Sequence, residues 1–116
     1  MTVYHIQSAR IFLRNFTGKH PHMLKWFGED QRNFVVEVPK EHVQPMKDAG
    51  WNVRYQERID SWSLLVKIDP AYDTDLTHLE RIGFNSAELY LEGREWSVAG
   101  HGSGIVAYLI SITPEQ

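Results

Sequence analysis

The chain has 116 residues, a net charge of -3 and no cysteine. This length predicts one domain over residues 1–116, and the lack of cysteine excludes disulfides, thiolate zinc sites and a cysteine nucleophile. Because no basic segment leads into an apolar one at the start, and the apolar runs are much shorter than a membrane span, we expect a soluble, cytoplasmic protein without membrane contact.

Period-two alternation dominates the chain and predicts a mainly β domain. In the first strand Ala9, Ile11 and Leu13 share one face. The opposite face is predicted to carry alternating charges and rings, namely Arg10, Phe12, Arg14 and Phe16. Upstream of Ala9 the apolar positions have the other parity, which predicts a bulge or bend near Gln7 and Ser8.

The middle of the chain predicts a loop, a strand and a helix. Thr17 to Gln31 is punctuated by glycine and proline and reads as a long apolar, basic loop. Arg32 to Val38 predicts a second strand with Asn33 and Glu37 facing outwards. Lys40 to Ala49 predicts a helix that Gly50 ends, although Pro45 would either kink it or mark a later start near Gln44.

The second half predicts further strands. Trp51 to Arg58 and Ser61 to Ile68 alternate cleanly and are close enough to form a hairpin. Thr74 can cap a brief helical turn that continues to Ile82. The closing strands are predicted at Ala87–Leu91, Glu95–Val98 and Ile105–Ile112. The whole pattern predicts an OB-fold-like small barrel of five to six strands with one short α-helix after the second strand.

The charges are divided unevenly along this pattern. Residues 1–28 hold four Lys or Arg and five rings without an acid, whereas the other 88 residues hold 8 Lys and Arg against 15 Asp and Glu. Cations that neutralise phosphates, interleaved with rings on which bases stack, suit single-stranded nucleic acid. Our candidate contacts are Arg10, Arg14, Phe16, Lys19, Lys25, Trp26, Phe27, Arg32, Arg54 and Arg58. The alternative for the phenylalanines of the first strand is a place in the core.

An enzymatic reading rests on acids and histidines. Hard cations prefer carboxylate oxygens, so a two-metal nuclease site can be imagined at Asp69, Asp73, Asp75, His78 and Glu80. Acids around Pro70 and Thr74 are, however, what a turn and a helix start normally contain. His20 and His22 lack the further ligands of a metal site, and Gly100 to Gly104 reads as a hairpin tip. We therefore expect no enzyme activity, no metal and no cofactor.

Three stretches resemble a family of small phage-encoded proteins from replication and recombination gene clusters, which are regarded as single-stranded DNA-binding or OB-like. They are Ala9–Gly18 with Arg32–Phe34, Gly50–Tyr55, and Trp96–Gly100 with Gly104–Leu109. The chain departs from the family pattern at Asp69 to Ala87, which is short and acidic where the pattern has a longer, more basic stretch.

The resemblance implies a β-barrel that coats single strands with little sequence preference during phage DNA replication or recombination. The expected partner is single-stranded DNA, with RNA left open, together with replication or recombination proteins. A homo-oligomer and a location in the cytoplasm of an infected bacterial host are also expected. The alternative is a phage interaction protein that binds a host protein through its aromatic, basic loop.

Overall fold

The computed structural model describes residues 2–17, 32–72, 76–82 and 84–115. Six strands and one α-helix make up this described part, with short 3-10 turns at Glu57–Ile59 and Thr77–Glu80. The elements in chain order are β1 (Thr2–Asn15), β2 (Asn33–Glu37), α1 (Lys40–Ala49), β3 (Arg54–Gln56), β4 (Ser61–Lys67), β5 (Ser86–Val98) and β6 (Gly102–Glu115). The helices of the described residues are too short and too polar to cross a lipid bilayer.

Five of the strands close into a barrel. β1 pairs antiparallel with β2 and β5, β2 pairs antiparallel with β4, and β5 pairs antiparallel with β6. A short parallel pairing between β4 and β6 completes the ring, and β3 adds to the free end of β4. The mainly β, OB-like architecture predicted from the alternation is thereby confirmed, including the single helix after the second strand.

Alternate side chains of the strands point into the barrel and fill its interior. Phe34 and Val36 of β2 face Leu64 and Val66 of β4, and all four are buried. The interior also holds Ile6 and Ile11 of β1, Leu89 and Leu91 of β5, and Ala107 and Leu109 of β6. Because strand side chains alternate between faces, the intervening residues lie on the outside of the barrel.

Two irregularities re-aim the side chains of β1. The register with β5 shifts between Ile6 and Ala9, and Ser8 takes a positive φ of 54°. The predicted bulge near Gln7 and Ser8 is confirmed. A second register shift, against β2, lies between Phe12 and Asn15. It was not predicted, and it changes which residues at the end of β1 enter the core.

The helix has the bounds that the sequence predicts. It begins after Pro39 and ends at Gly50, whose N–H donates to the carbonyl of Lys47. The φ of 96° at Gly50 turns the chain so that the N–H of Trp51 donates to the carbonyl of Met46. Pro45 lies inside the helix, so the alternative of a later start near Gln44 is wrong. Met46 is fully buried and anchors α1 on the barrel.

The second half differs from prediction in the lengths of its strands. Only Arg54–Gln56 of the predicted third strand pairs with β4, and the chain then turns through Asp60 in the left-handed region. The separate closing strands are in fact two long strands, β5 and β6. Asn33 lies on the outward side of β2, as predicted, but is only 1% exposed.

Candidate nucleic-acid interface

The outward side chains of β1, β2 and β4 lie on one side of the barrel, which we call the outer face. Three of its register positions, Asn15, Asn33 and Ser63, are buried. At its centre Phe12 pairs with Val35, and Val35 pairs with Leu65 on the next strand. All three side chains are partly exposed, and each follows a buried residue in its own strand. We call these three residues the central row. Apolar side chains held half in water on a sheet offer flat contact area to a ring.

A row of polar residues runs parallel to the central row. On β1, β2 and β4, each lies two residues along its strand from a residue of the central row, a backbone distance of about 7 Å. The pairing runs from Arg10 through Glu37 and Ser63 to Arg54, and we call it the Arg10 flank. The Arg10 side chain is 69% exposed, and its Nη1 lies 3.4 Å from Oε2 of Glu37. Arg54 is exposed and donates through Nε to Oδ1 of Asn52. Three inter-strand spacings place the two arginine backbones about 14 Å apart.

A second charged border lies on the other side of the central row. Lys67 of β4 pairs with Tyr108 of β6, and the guanidinium of Arg94 lies 3.9 Å from the centroid of the Tyr108 ring. We call Lys67, Tyr108 and Arg94 the Lys67 flank. A cation stacked on a ring keeps its charge while presenting a broad planar surface.

The carboxylate of Asp69 fixes Arg94 in this position. Nη1 of Arg94 lies 2.6 Å from Oδ2 of Asp69, and Oε1 of Glu92 lies 3.5 Å from Nε. The pKa of Asp69 is lowered from its ordinary value, first by the hydrogen bond from the Ala71 N–H and then by Arg94. Asp69 therefore ties the turn after β4 to β5 through Arg94.

The geometry so far is a barrel face with an apolar centre and cations on both borders. A family model described as "Putative phage ssDNA-binding domain" matches residues 2–75, which is more than half of the chain. The chain belongs to this family. The matched region contains β1, β2 and β4, the three strands that form the outer face. The resemblance noted in the sequence is confirmed.

The fold is also similar to a solved structure. It matches the single-stranded DNA-binding protein from bacteriophage Enc34, a C-terminal truncation, with a TM-score of 0.60. The match covers 98% of this chain and 85% of that chain at 10% sequence identity, so it supports the fold. No curated protein matches this chain.

Two of the predicted arginines, Arg14 and Arg32, hold parts of the fold together through hydrogen bonds to backbone carbonyls. Arg14 donates to the carbonyls of Ile82 and Phe84 and lies 3.8 Å from the centroid of the Phe84 ring. Arg32 donates to the carbonyls of Asp69 and Tyr72. Both side chains are partly buried and tie the ends of β1 and β2 to distant turns. Their charge is used to hold backbone carbonyls, so we leave them out of the outer face.

The structure corrects the placement of Phe16. The register shift after Phe12 turns Phe16 inwards, where it is 2% exposed and packs 5.4 Å from the ring of Phe34. Its ring has no face free for a base. Phe12, by contrast, remains on the outer face with Arg10.

The other predicted contacts divide into two groups. Arg58 is exposed in the 3-10 turn that follows β3. Lys19, Lys25, Trp26 and Phe27 lie outside the described residues, in the segment that links β1 to β2. Their contribution to binding stays a prediction.

The sequence reasoning missed the Lys67 flank and the central residues Val35 and Leu65. The alternation of β4 placed Leu65 and Lys67 opposite Leu64 and Val66, so their outward position was available. What the sequence does not show is the parallel pairing of β4 with β6, which brings Tyr108 and Arg94 to the same surface.

Exposed apolar groups also lie on the β5–β6 hairpin. Trp96 is 40% and Val98 is 51% exposed. The indole of Trp96 lies over Gly104, where an added Cβ would be 3.1 Å from Nε1. In OB-folds the loop between the last two barrel strands adjoins the binding surface. Trp96 is a further exposed ring, and it lines a pocket together with Gly50 at the end of α1 and Ile105 of β6.

The acids that suggested a metal site do not form one among the described residues, where no group of three His, Asp or Glu is placed to hold an ion. Asp69 is occupied by Ala71 and Arg94. Asp73, Asp75, His20 and His22 lie outside the described part. The absence of enzyme activity stays a prediction.

Proposed function

We propose that this chain binds single-stranded DNA across the outer face, with little sequence preference, during phage DNA replication or recombination. The observation that supports this most is the arrangement of a partly exposed apolar row between two borders that carry cations. Phosphates would contact Arg10 and Arg54 on one border and Lys67 and Arg94 on the other. Bases would lie on Phe12 and its neighbours.

The energetics of such a surface explain its expected tolerance of sequence. Each base stacked on a side-chain ring contributes about 1–3 kcal/mol, and every base has a π-face. The observed association constant for a single strand falls with salt with a slope of about -0.7 per phosphate contact. The described residues of the face and its borders offer four cations, so the expected slope is at most about -3, plus whatever residues 18–31 contribute.

Tryptophan fluorescence offers the direct test. Trp96 is substantially exposed, Trp62 partly, and Trp51 is buried, so an added ligand can alter the emission of the first two. Titration with a short oligo-dT at low salt should quench the emission, and added salt should restore it. The matched control is a duplex of the same length, with oligo-rU as a second ligand that compares RNA with DNA.

Two outcomes would contradict the proposal. One is unchanged fluorescence together with unchanged anisotropy of a labelled oligo-dT at low salt. The other is binding that does not weaken as salt rises, which would favour an apolar protein partner instead. The proposal has three further parts. We propose that the chain acts in the cytoplasm of an infected host, contacts replication or recombination proteins, and assembles into a homo-oligomer. Light scattering with and without oligo-dT would test the assembly.

A further inference from the structure

The side chain of Arg10 is 69% exposed on the outer face and is already paired with an acid. Glu37 of β2 lies directly across from Arg10 of β1 in the strand register, and their charged groups approach to 3.4 Å. Glu37 is itself on the outer face, with 26% of its side chain exposed. A phosphate that approaches Arg10 therefore meets a carboxylate at the same place.

We propose that Glu37 competes with the DNA backbone for Arg10, so that the outer face binds more weakly and releases DNA faster than its rings and cations alone would allow. This inference rests on the proposed function. A phosphate bound to Arg10 must either displace the carboxylate or share the guanidinium with it. In both cases two negative groups are brought close together, and their repulsion opposes the bound state.

The other acids near the face are placed differently. Asp69 accepts from the Ala71 N–H and holds Arg94, so its removal would disturb the turn after β4. Glu88 lies on the outside of β5 and contacts His5 of β1 at 3.1 Å, on the wall away from β2 and β4. Glu92 lies 3.5 Å from Arg94, but Asp69 already holds that guanidinium at 2.6 Å. Glu37 instead contacts the 69% exposed side chain of Arg10, beside the central row.

The size of the effect follows from the geometry. A phosphate on the far side of the guanidinium would lie about 6 Å from the Glu37 carboxylate, and at the dielectric constant of water the repulsion lowers affinity about threefold. The site is exposed, so this aqueous value is the appropriate one. Because related complexes differ mainly in their dissociation rates, we expect the change there rather than in association.

The test compares Glu37→Gln with Glu88→Gln, which removes the same charge and also breaks a contact with a cross-strand partner. Binding of a fluorescein-labelled oligo-dT is measured by anisotropy over a range of salt, with dissociation followed by stopped flow. Glu37→Gln should bind about threefold more tightly, with a salt slope steeper by up to about 0.7. Glu88→Gln should change affinity much less. Equal gains in both variants would show an effect of net charge and overturn the inference.

A double-mutant cycle separates competition for Arg10 from general repulsion. In an Arg10→Gln background, Glu37→Gln should give a clearly smaller gain than in the unmodified chain. A full threefold gain in that background would contradict the proposal. If the unmodified chain does not bind oligo-dT, the proposed function fails. If it binds and Glu37→Gln leaves both affinity and dissociation unchanged, only the competition is refuted. Thermal unfolding checks that each variant is folded, because the loss of an exposed ion pair lowers stability only slightly.

Discussion

Phe12 and Phe16 are four residues apart in one strand and should respond in opposite ways to substitution by alanine. Phe16 is 2% exposed and packs against Phe34, so its loss leaves a cavity in the core. Truncation of a buried phenylalanine costs about 3–5 kcal/mol, a large part of the stability of a domain of this size. At roughly 4 °C per kcal/mol, the thermal midpoint should fall by about 12–20 °C. Phe12 is partly exposed in the central row, so Phe12→Ala should lower the thermal midpoint much less.

Binding should show the reverse order. Phe12→Ala should weaken oligo-dT binding by about 1–3 kcal/mol, the contribution of one stacked base, with no change in the salt slope. Phe16→Ala, measured at a temperature where it is folded, should bind nearly as the unmodified chain does. Urea unfolding and anisotropy on the same samples provide both quantities. The reasoning is refuted if folded Phe12→Ala keeps full affinity, or if Phe16→Ala is no less stable than Phe12→Ala.

Three further predictions concern the charged residues. Replacing Arg10 and Arg54 together by glutamine should weaken oligo-dT binding and reduce the salt slope by about 0.7–1.4, with an unchanged circular dichroism spectrum; an unaltered slope would remove both from the interface. Arg32→Gln should instead lower stability by about 1.5–3 kcal/mol, because its charge-assisted bonds to carbonyls are lost, and should leave the slope unchanged in a salt titration. The lowered pKa of Asp69 means that its contribution to stability is present above its unfolded pKa of about 3.9 and is lost as pH falls through the folded value. The stability difference between the unmodified chain and Asp69→Asn should therefore shrink in urea titrations below about pH 4, and a difference that grows on acidification would contradict this.

The elements that the sequence predicts well are those whose cause is local. Gly50 ends the helix because it alone at that point takes a positive φ readily, and the change of parity before Ala9 reveals the bulge at Ser8. Period-two alternation was enough to identify β2 and β4. From these parts the OB-like class follows, since few other barrels have this size and order.

The misread features depend on contacts between distant segments. The inward turn of Phe16 comes from a register shift against β2, which no pattern within β1 shows. The break predicted between the closing strands was equally misleading, because Gly93 lies in the middle of β5. Its lack of a side chain makes room for Trp51 and Ile105, to which an added Cβ would come within 3.0 and 2.8 Å. Gly93 is thus required by packing and does not end a strand.

The division of charge along the sequence identified the partner class better than it identified the surface. Two of the five predicted arginines, Arg14 and Arg32, use their charge on backbone carbonyls, where a phosphate cannot replace the acceptor without disturbing the fold. The Lys67 flank comes from the acidic remainder of the chain. In a barrel, strands that carry different charges lie side by side. The electrostatic potential of one face is therefore set by which strands pair, and not by the order of the charges in the sequence. Glu37 follows from the same principle: an acid from the second strand is brought opposite a cation of the first, and the affinity of the face reflects their contact.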